Sequence, residues 1–429
     1  MRKLFVVLFF LPVFTIAQKK QITIQDIHEK RLFRNEVVPG FAKEAVTDYV
    51  NESDVKDEKG QVIVLDEVDD DYLVSENKKR ILYYIDKEYI YRRSYKATVY
   101  LHDIESKKTI LLSNEKILHP TFSPDGSKVA YVKDNNLYLY DIATASTKAI
   151  TTDGKWNYII NGNCDWVYEE EFSFSRAYQW SEKGNHIAYY RFDESNVKEY
   201  EMTLYNYTYN TQYRFKYPKA GESNSIVEVH IYDIATGKDV KAQYEQGDIY
   251  IPRIKWTQDD NVLVVFWMNR HQNQLKLLRT DAKTGSSSLL YEENNKYFVE
   301  ITDEWWFIKD GKNFLFTSEM NGYKHLYLYS LDGKTKTQLT KGNHEITTIN
   351  GVDETNKRVF YTMAYPRPMD RNLFVTDFTG KKTVQLTQGE AYHRVEMNDA
   401  FTQYFDYRAE LNTPQTVTLY DIVVDKKKN

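Results

Sequence analysis

Short runs of apolar and aromatic residues alternate with polar, turn-forming clusters along this chain, and the same order keeps returning. A turn leads into an apolar-rich strand, then a polar loop, then a second strand that often ends in Tyr or Thr followed by Asp. The clearest copy runs Phe122-Ser123-Pro124-Asp125-Gly126, then Val129-Ala130-Tyr131-Val132, a turn at Asn135-Asn136, and Leu137-Tyr138-Leu139-Tyr140-Asp141-Ile142. Pro presets φ, Asp hydrogen-bonds nearby backbone and Gly accepts positive φ, so the punctuation has a mechanism. Apolar runs bounded by such clusters predict strands.

The unit recurs as Arg80-Ile81-Leu82-Tyr83, His186-Ile187-Ala188-Tyr189-Tyr190, Val262-Leu263-Val264-Val265-Phe266, Phe314-Leu315-Phe316, Val359-Phe360-Tyr361 and Tyr404-Phe405-Asp406-Tyr407. Most units lie about 43–58 residues apart, the period of a four-stranded propeller blade. One interval, between the turns near 184 and 260, is longer. It predicts an insertion where Tyr217-Pro218-Lys219-Ala220-Gly221 sits. The expected fold is therefore all-β, a β-propeller of seven to eight four-stranded blades over residues 69–425. Residues 18–68 form an N-terminal segment with an atypical first blade. Equal units at this spacing fit poorly into the two sheets of a sandwich.

Composition supports an all-β chain: 36 Tyr, 21 Phe and 7 Trp among 429 residues favour strands. The net charge of −5 and the lack of a basic block beyond Lys426-Lys427-Lys428 exclude an electrostatic footprint for nucleic acid. Arg2 and Lys3, an apolar stretch from Leu4 to Ile16, and Ala17 read as a secretory signal peptide over residues 1–17. The mature chain is expected to be exported, periplasmic or secreted, with no membrane attachment after cleavage. Cys164 is the single cysteine, so no internal disulfide forms, and an inert buried thiol is expected.

One stretch breaks the repeat: Asp165-Trp166-Val167-Tyr168-Glu169-Glu170-Glu171-Phe172. In a helical turn neighbouring residues sit about 100° apart, so two adjacent carboxylates can converge on one point. Converging carboxylates suit a cation with several N–H donors, such as a protonated amine. A solvated acidic turn is the plainer alternative, but the flanking aromatics suit a packed segment. This stretch is similar to the double-glutamate motif of the dipeptidyl peptidase IV family. The similarity continues through Trp180-Ser181, Ile187-Ala188-Tyr189, Phe192-Asp193-Glu194, Tyr217-Pro218-Lys219-Ala220-Gly221, Gly322-Tyr323-Lys324-His325 and Asn412-Thr413-Pro414.

The resemblance implies that Glu170 and Glu171 bind the free α-amino group of a peptide. It also implies that Arg92 contacts the carbonyl of the second substrate residue, with Arg93 the alternative. Paired acids would then act as a ruler, placing the bond two residues in at the nucleophile of a neighbouring hydrolase domain. The family's Ser-Asp-His triad lies on an α/β-hydrolase domain after the propeller, with its serine in Gly-x-Ser-x-Gly. No two of the 17 glycines here are four positions apart. That domain is expected to be absent from this chain, so no catalytic residue is assigned. No metal site or cofactor is indicated. The expected partners are a peptide amino terminus, the hydrolase domain of the parent protein, and in one reading a second copy of the chain. The alternative function is a non-catalytic exported propeller that binds peptide amino termini or a protein partner.

Overall fold

The computed structural model describes residues 21–423, apart from 35, 44, 45, 58 and 64–71. The signal peptide expected over residues 1–17 and the first three and last two residues of the expected propeller lie outside the described residues. A first compact unit ends at Ala42. It holds one short helix, Ile24–His28, capped reciprocally by Thr23 and Asp26. The second unit, from Lys43 onward, holds every strand described below.

Among the described residues its strands form eight antiparallel sheets, seven successive along the chain and the eighth a two-stranded hairpin inserted in the third. The first contains Tyr72–Val74, Arg80–Tyr89, Tyr95–Asp103 and Lys108–Leu111, hydrogen-bonded in chain order. Four others repeat this four-stranded meander. The third adds Ile159–Asn161, paired to the far end of His186–Asp193, and the last has three strands among the described residues.

Sheet stacking explains the apolar runs. In Val262–Asn269, Leu263, Val265 and Trp267 pack toward the third sheet, while Val264, Phe266 and Met268 pack toward the fifth. A strand buried on both faces reads as a continuous hydrophobic run rather than an alternation. In Lys128–Lys133 the same division sends Val129 and Tyr131 toward the first sheet and Ala130 and Val132 toward the third. Several fourth strands, such as Ser146–Ala149 and Thr383–Gln385, are short, polar and mostly exposed, whereas Ser287–Asn294 is longer and buries Leu290 and Tyr291.

The segment expected to make an atypical first blade contributes no strand among its described residues. It forms two 3-10 turns, Val46–Asp48 and Glu52–Asp54, and one isolated bridge between Lys56 and Val62. Val46, Val50, Val55 and Ile63 cover Ile81 and Tyr83, on the face of the first sheet turned away from the second. The long interval in the repeat is filled by a separate two-stranded hairpin, Glu199–Leu204 with Thr211–Lys216, which ends just before Tyr217.

The recurrent Asp is a turn former. Asp103, Asp141, Asp233 and Asp281 each end a third strand and accept the backbone N–H three residues on, at 3.0, 3.0, 2.7 and 2.9 Å. Asp141 also receives Lys128 Nζ at 2.6 Å, and that bond, with the turn, holds its carboxyl down to about 2. Asp141→Ala is expected to cost about 1–2 kcal/mol, the loss of a charge-assisted turn bond, read as a lower urea midpoint at unchanged slope.

Candidate functional site

The acidic motif sits where the chain leaves Ile159–Asn161. Gly162, at φ +75, turns it there, and a Cβ at that position would meet Val132 Cγ2 at 2.9 Å. A six-residue helix follows, Trp166–Glu171. Asp165 caps it, accepting from the Tyr168 N–H at 2.9 Å and from Ser225 Oγ at 2.6 Å. Burial pushes the Asp165 carboxyl above the usual carboxylate range, against the pull of these bonds. Tyr168 packs among Phe172, Phe174, Tyr190, Phe192 and Tyr250. Its hydroxyl accepts the Ile251 N–H at 2.8 Å, which ties the helix to the fourth sheet.

The helix sends its three acids to three environments. Glu169 is fully buried, Glu170 is partly buried, and Glu171 is exposed. Arg92, far away in sequence on the loop between Arg80–Tyr89 and Tyr95–Asp103, meets Glu170 with Nε–Oε1 at 3.2 Å. Its side chain is 72% exposed against 20% for Glu170. Arg93 turns the other way. Its guanidinium donates to the Glu169 carbonyl at 2.8 Å and to Ser173 Oγ at 3.4 Å. Of the two arginines, only Arg92 presents its charge at the Glu170 carboxylate.

Glu169 carries a role that the sequence reading did not assign. One oxygen accepts the N–H groups of Arg93 at 2.6 Å and Ser94 at 2.8 Å. No local periodicity marks it: Val167 and Tyr168 are buried beside Glu169, and three adjacent acids read alike by charge.

Arg92, Glu170 and Trp166 share a cleft of about 680 Å³ with Met202, Tyr213 and Phe215 of the inserted hairpin. A neighbouring cavity of about 290 Å³ is lined by Tyr91, Asn163, Cys164 and Glu194, among others. Burial first, and then the nearby Asp165 charge, push Glu194 up to about 8, with Lys216 opposing. Burial also raises the Cys164 thiol well above its ordinary range, which disfavours the reactive thiolate.

Residues 75–415 match the family model for the dipeptidyl peptidase IV N-terminal region. The chain belongs to the dipeptidyl peptidase IV family. It is 30% identical to dipeptidyl peptidase 4 of Felis catus, over 72% of this chain and 44% of that protein. It is 28% identical to a probable dipeptidyl peptidase 4 of Aspergillus clavatus, over 73% of this chain and 43% of that one. The solved structure of Porphyromonas gingivalis dipeptidyl peptidase 4 superposes with a TM-score of 0.75 at 34% identity, covering 82% of this chain and 50% of that one. The chain thus spans about half the length of the relatives it matches. Its successive sheets are the propeller region of a dipeptidyl peptidase IV-like peptidase. Among the described residues, no helix is long and apolar enough to cross a membrane.

Proposed function

We propose that this chain is the substrate-binding propeller of a dipeptidyl peptidase IV-like serine exopeptidase. Glu170 and Glu171 hold the protonated amino terminus of a peptide, and Arg92 takes the carbonyl of the second residue. A hydrolase domain of the same parent protein then releases an X-Pro or X-Ala dipeptide, after export directed by residues 1–17. The observation that carries this reading is the meeting of Arg92, on a loop of the first sheet, and Glu170, on the acidic helix, at the edge of one cleft.

The chemistry follows from the charges. A peptide α-amine has a pKa of roughly 7.7–8.0, so at neutral pH it is mostly an ammonium ion with three donors. The pair between Arg92 and Glu170 is open to solvent on the arginine side, and such pairs are worth about 0–1 kcal/mol. An arriving ammonium can therefore displace Arg92 from Glu170 at little cost. The freed guanidinium then has donors for a carbonyl. With both ends of the first two residues held, orientation as well as affinity is gained.

The test is calorimetric titration of this chain with a short X-Pro peptide, free or acetylated at its amino terminus. Free peptide is expected to bind, and acetylation to weaken it roughly 30-fold or more, because a neutral amide cannot pair with the acids. Glu170→Gln and Glu171→Gln should each erase most of that difference. Equal binding of free and acetylated peptide would end the amine-anchor reading and favour a propeller that binds a partner by other means.

A further inference from the structure

We infer that Glu169 is the positioning residue of this site: its buried carboxylate sets the spacing between Arg92 and Glu170. The inference rests on the amine-anchor reading above, and the test separates the two. One Glu169 oxygen accepts two successive backbone N–H groups, from Arg93 and Ser94, the residues that immediately follow Arg92. The Glu169 carbonyl accepts the Arg93 guanidinium. Three bonds therefore clasp the loop of the first sheet to a helix that belongs to the core of the third and fourth sheets.

The clasp acts on both sides of the site. On the loop side, pinning the N–H groups of residues 93 and 94 leaves the Arg92 backbone one residue from a fixed point. On the helix side, a residue held inward fixes the rotation of the helix about its axis. Successive side chains sit about 100° apart, so holding Glu169 inward decides where Glu170 and Glu171 point. Glu169 is 0% exposed, and its second oxygen is buried without a hydrogen-bond partner among the described residues. An acid that served only to attract a cation would gain from solvent access or from a place in the cleft. Glu169 has no access to solvent, and it is not among the residues that line the cleft.

Reach separates positioning from simple charge. Glu169→Gln keeps the length of the side chain and an oxygen able to accept both N–H groups, but removes the charge. Glu169→Asp keeps the charge and shortens the arm by one methylene, so the carboxylate cannot hold both N–H groups from the same backbone position. The readout is the ratio of affinities for free and acetylated peptide, with a thermal melt to verify folding of each variant. The expected result is that Glu169→Gln keeps the ratio within about threefold of the parent. Glu169→Asp should lose roughly tenfold to a hundredfold, as small misplacements of a binding group do. The reverse order, with Asp retaining the ratio and Gln losing it, would make Glu169 a source of charge and overturn the inference. Should the Asp variant fail to fold, the Gln variant still decides, since the two readings predict opposite outcomes for it. A parent chain that does not discriminate at all would end the amine-anchor reading first, and this inference with it.

Discussion

Glu194→Gln is expected to stabilise the folded chain at pH 9 by about 4 kcal/mol and to change it little at pH 4. The Glu194 side chain lines a cavity together with Tyr91, Asn163 and Cys164, with 5% of its surface exposed. Its carboxyl is pushed from 4.5 to about 8, by burial first and by repulsion from Asp165 second. The folded state therefore holds a proton that the unfolded chain releases near pH 4.5. Wherever the folded state binds more protons, stability falls as pH rises. The favourable contribution is complete below about 4.5, shrinks between there and about 8, and beyond that a fixed penalty for the buried charge remains. A difference of about 3.5 pKa units at about 1.36 kcal/mol per unit sets the order of magnitude. Glutamine has nearly the same shape and never ionises, so it avoids the penalty.

Urea unfolding of parent and variant at pH 4 and pH 9 reads this directly. The comparison must be parent against variant, because His230 moves in the same direction. Burial lowers its pKa, but Asp239 and Glu228 outweigh this and hold the imidazolium to about 9. Stability from that network is present below the ordinary histidine range and is lost as pH rises through about 9, whichever residue occupies position 194. A gap between parent and variant that stays constant from pH 4 to pH 9 would mean that Glu194 binds its proton equally in the folded and unfolded chain, with no upward shift in the fold.

The second large effect is expected at Tyr168. Tyr168→Ala should cost about 3–5 kcal/mol, the range for emptying a large aromatic site in a packed core. The ring is 2% exposed, and its nearest ring neighbours, Phe192 and Phe172, have centroids 4.8 and 5.0 Å away. Both neighbours belong to elements that cannot collapse freely, one to a central strand and one to the end of the acidic helix. Tyr168→Phe separates packing from hydrogen bonding. It keeps the ring and strands the buried Ile251 N–H, at an expected cost of about 1–3 kcal/mol. Equilibrium unfolding in urea ranks the three proteins. Tyr168→Ala falling within the error of Tyr168→Phe would show that the ring contributes little and that the site relaxes around the loss.

Much of the fold was readable because blades are local. Each sheet is a run of neighbouring strands joined by turns, so apolar runs, Asp-Gly turns and strand-ending aspartates appear in the sequence in the order in which they pair. Val262–Asn269 could be recognised as a strand from its run of apolar residues, and the structure buries that run on both faces. The inserted hairpin could be located by the length of one interval, though its strands carry no repeat signature. The segment before Asp69 was less readable. Val46, Val50, Val55 and Ile63 do not alternate as a strand does, because they cover a sheet from irregular backbone.

The acids show the other limit. Sequence determined that an acidic stretch flanked by aromatics interrupts the repeat, and the family resemblance singled out Arg92, Glu170 and Glu171. It left open which of two adjacent arginines meets the acids, and it left Glu169 without a task. Tertiary structure brought Arg92 to Glu170 and the Arg93 N–H to Glu169, by placing a loop of the first sheet against a helix that follows the second, more than seventy residues later in the chain. The physical reason is range. Strand periodicity and turn chemistry act over a few residues and leave their mark in the local sequence. A buried carboxylate that accepts backbone N–H groups from a distant loop leaves no local mark, since every residue type but proline offers the same N–H.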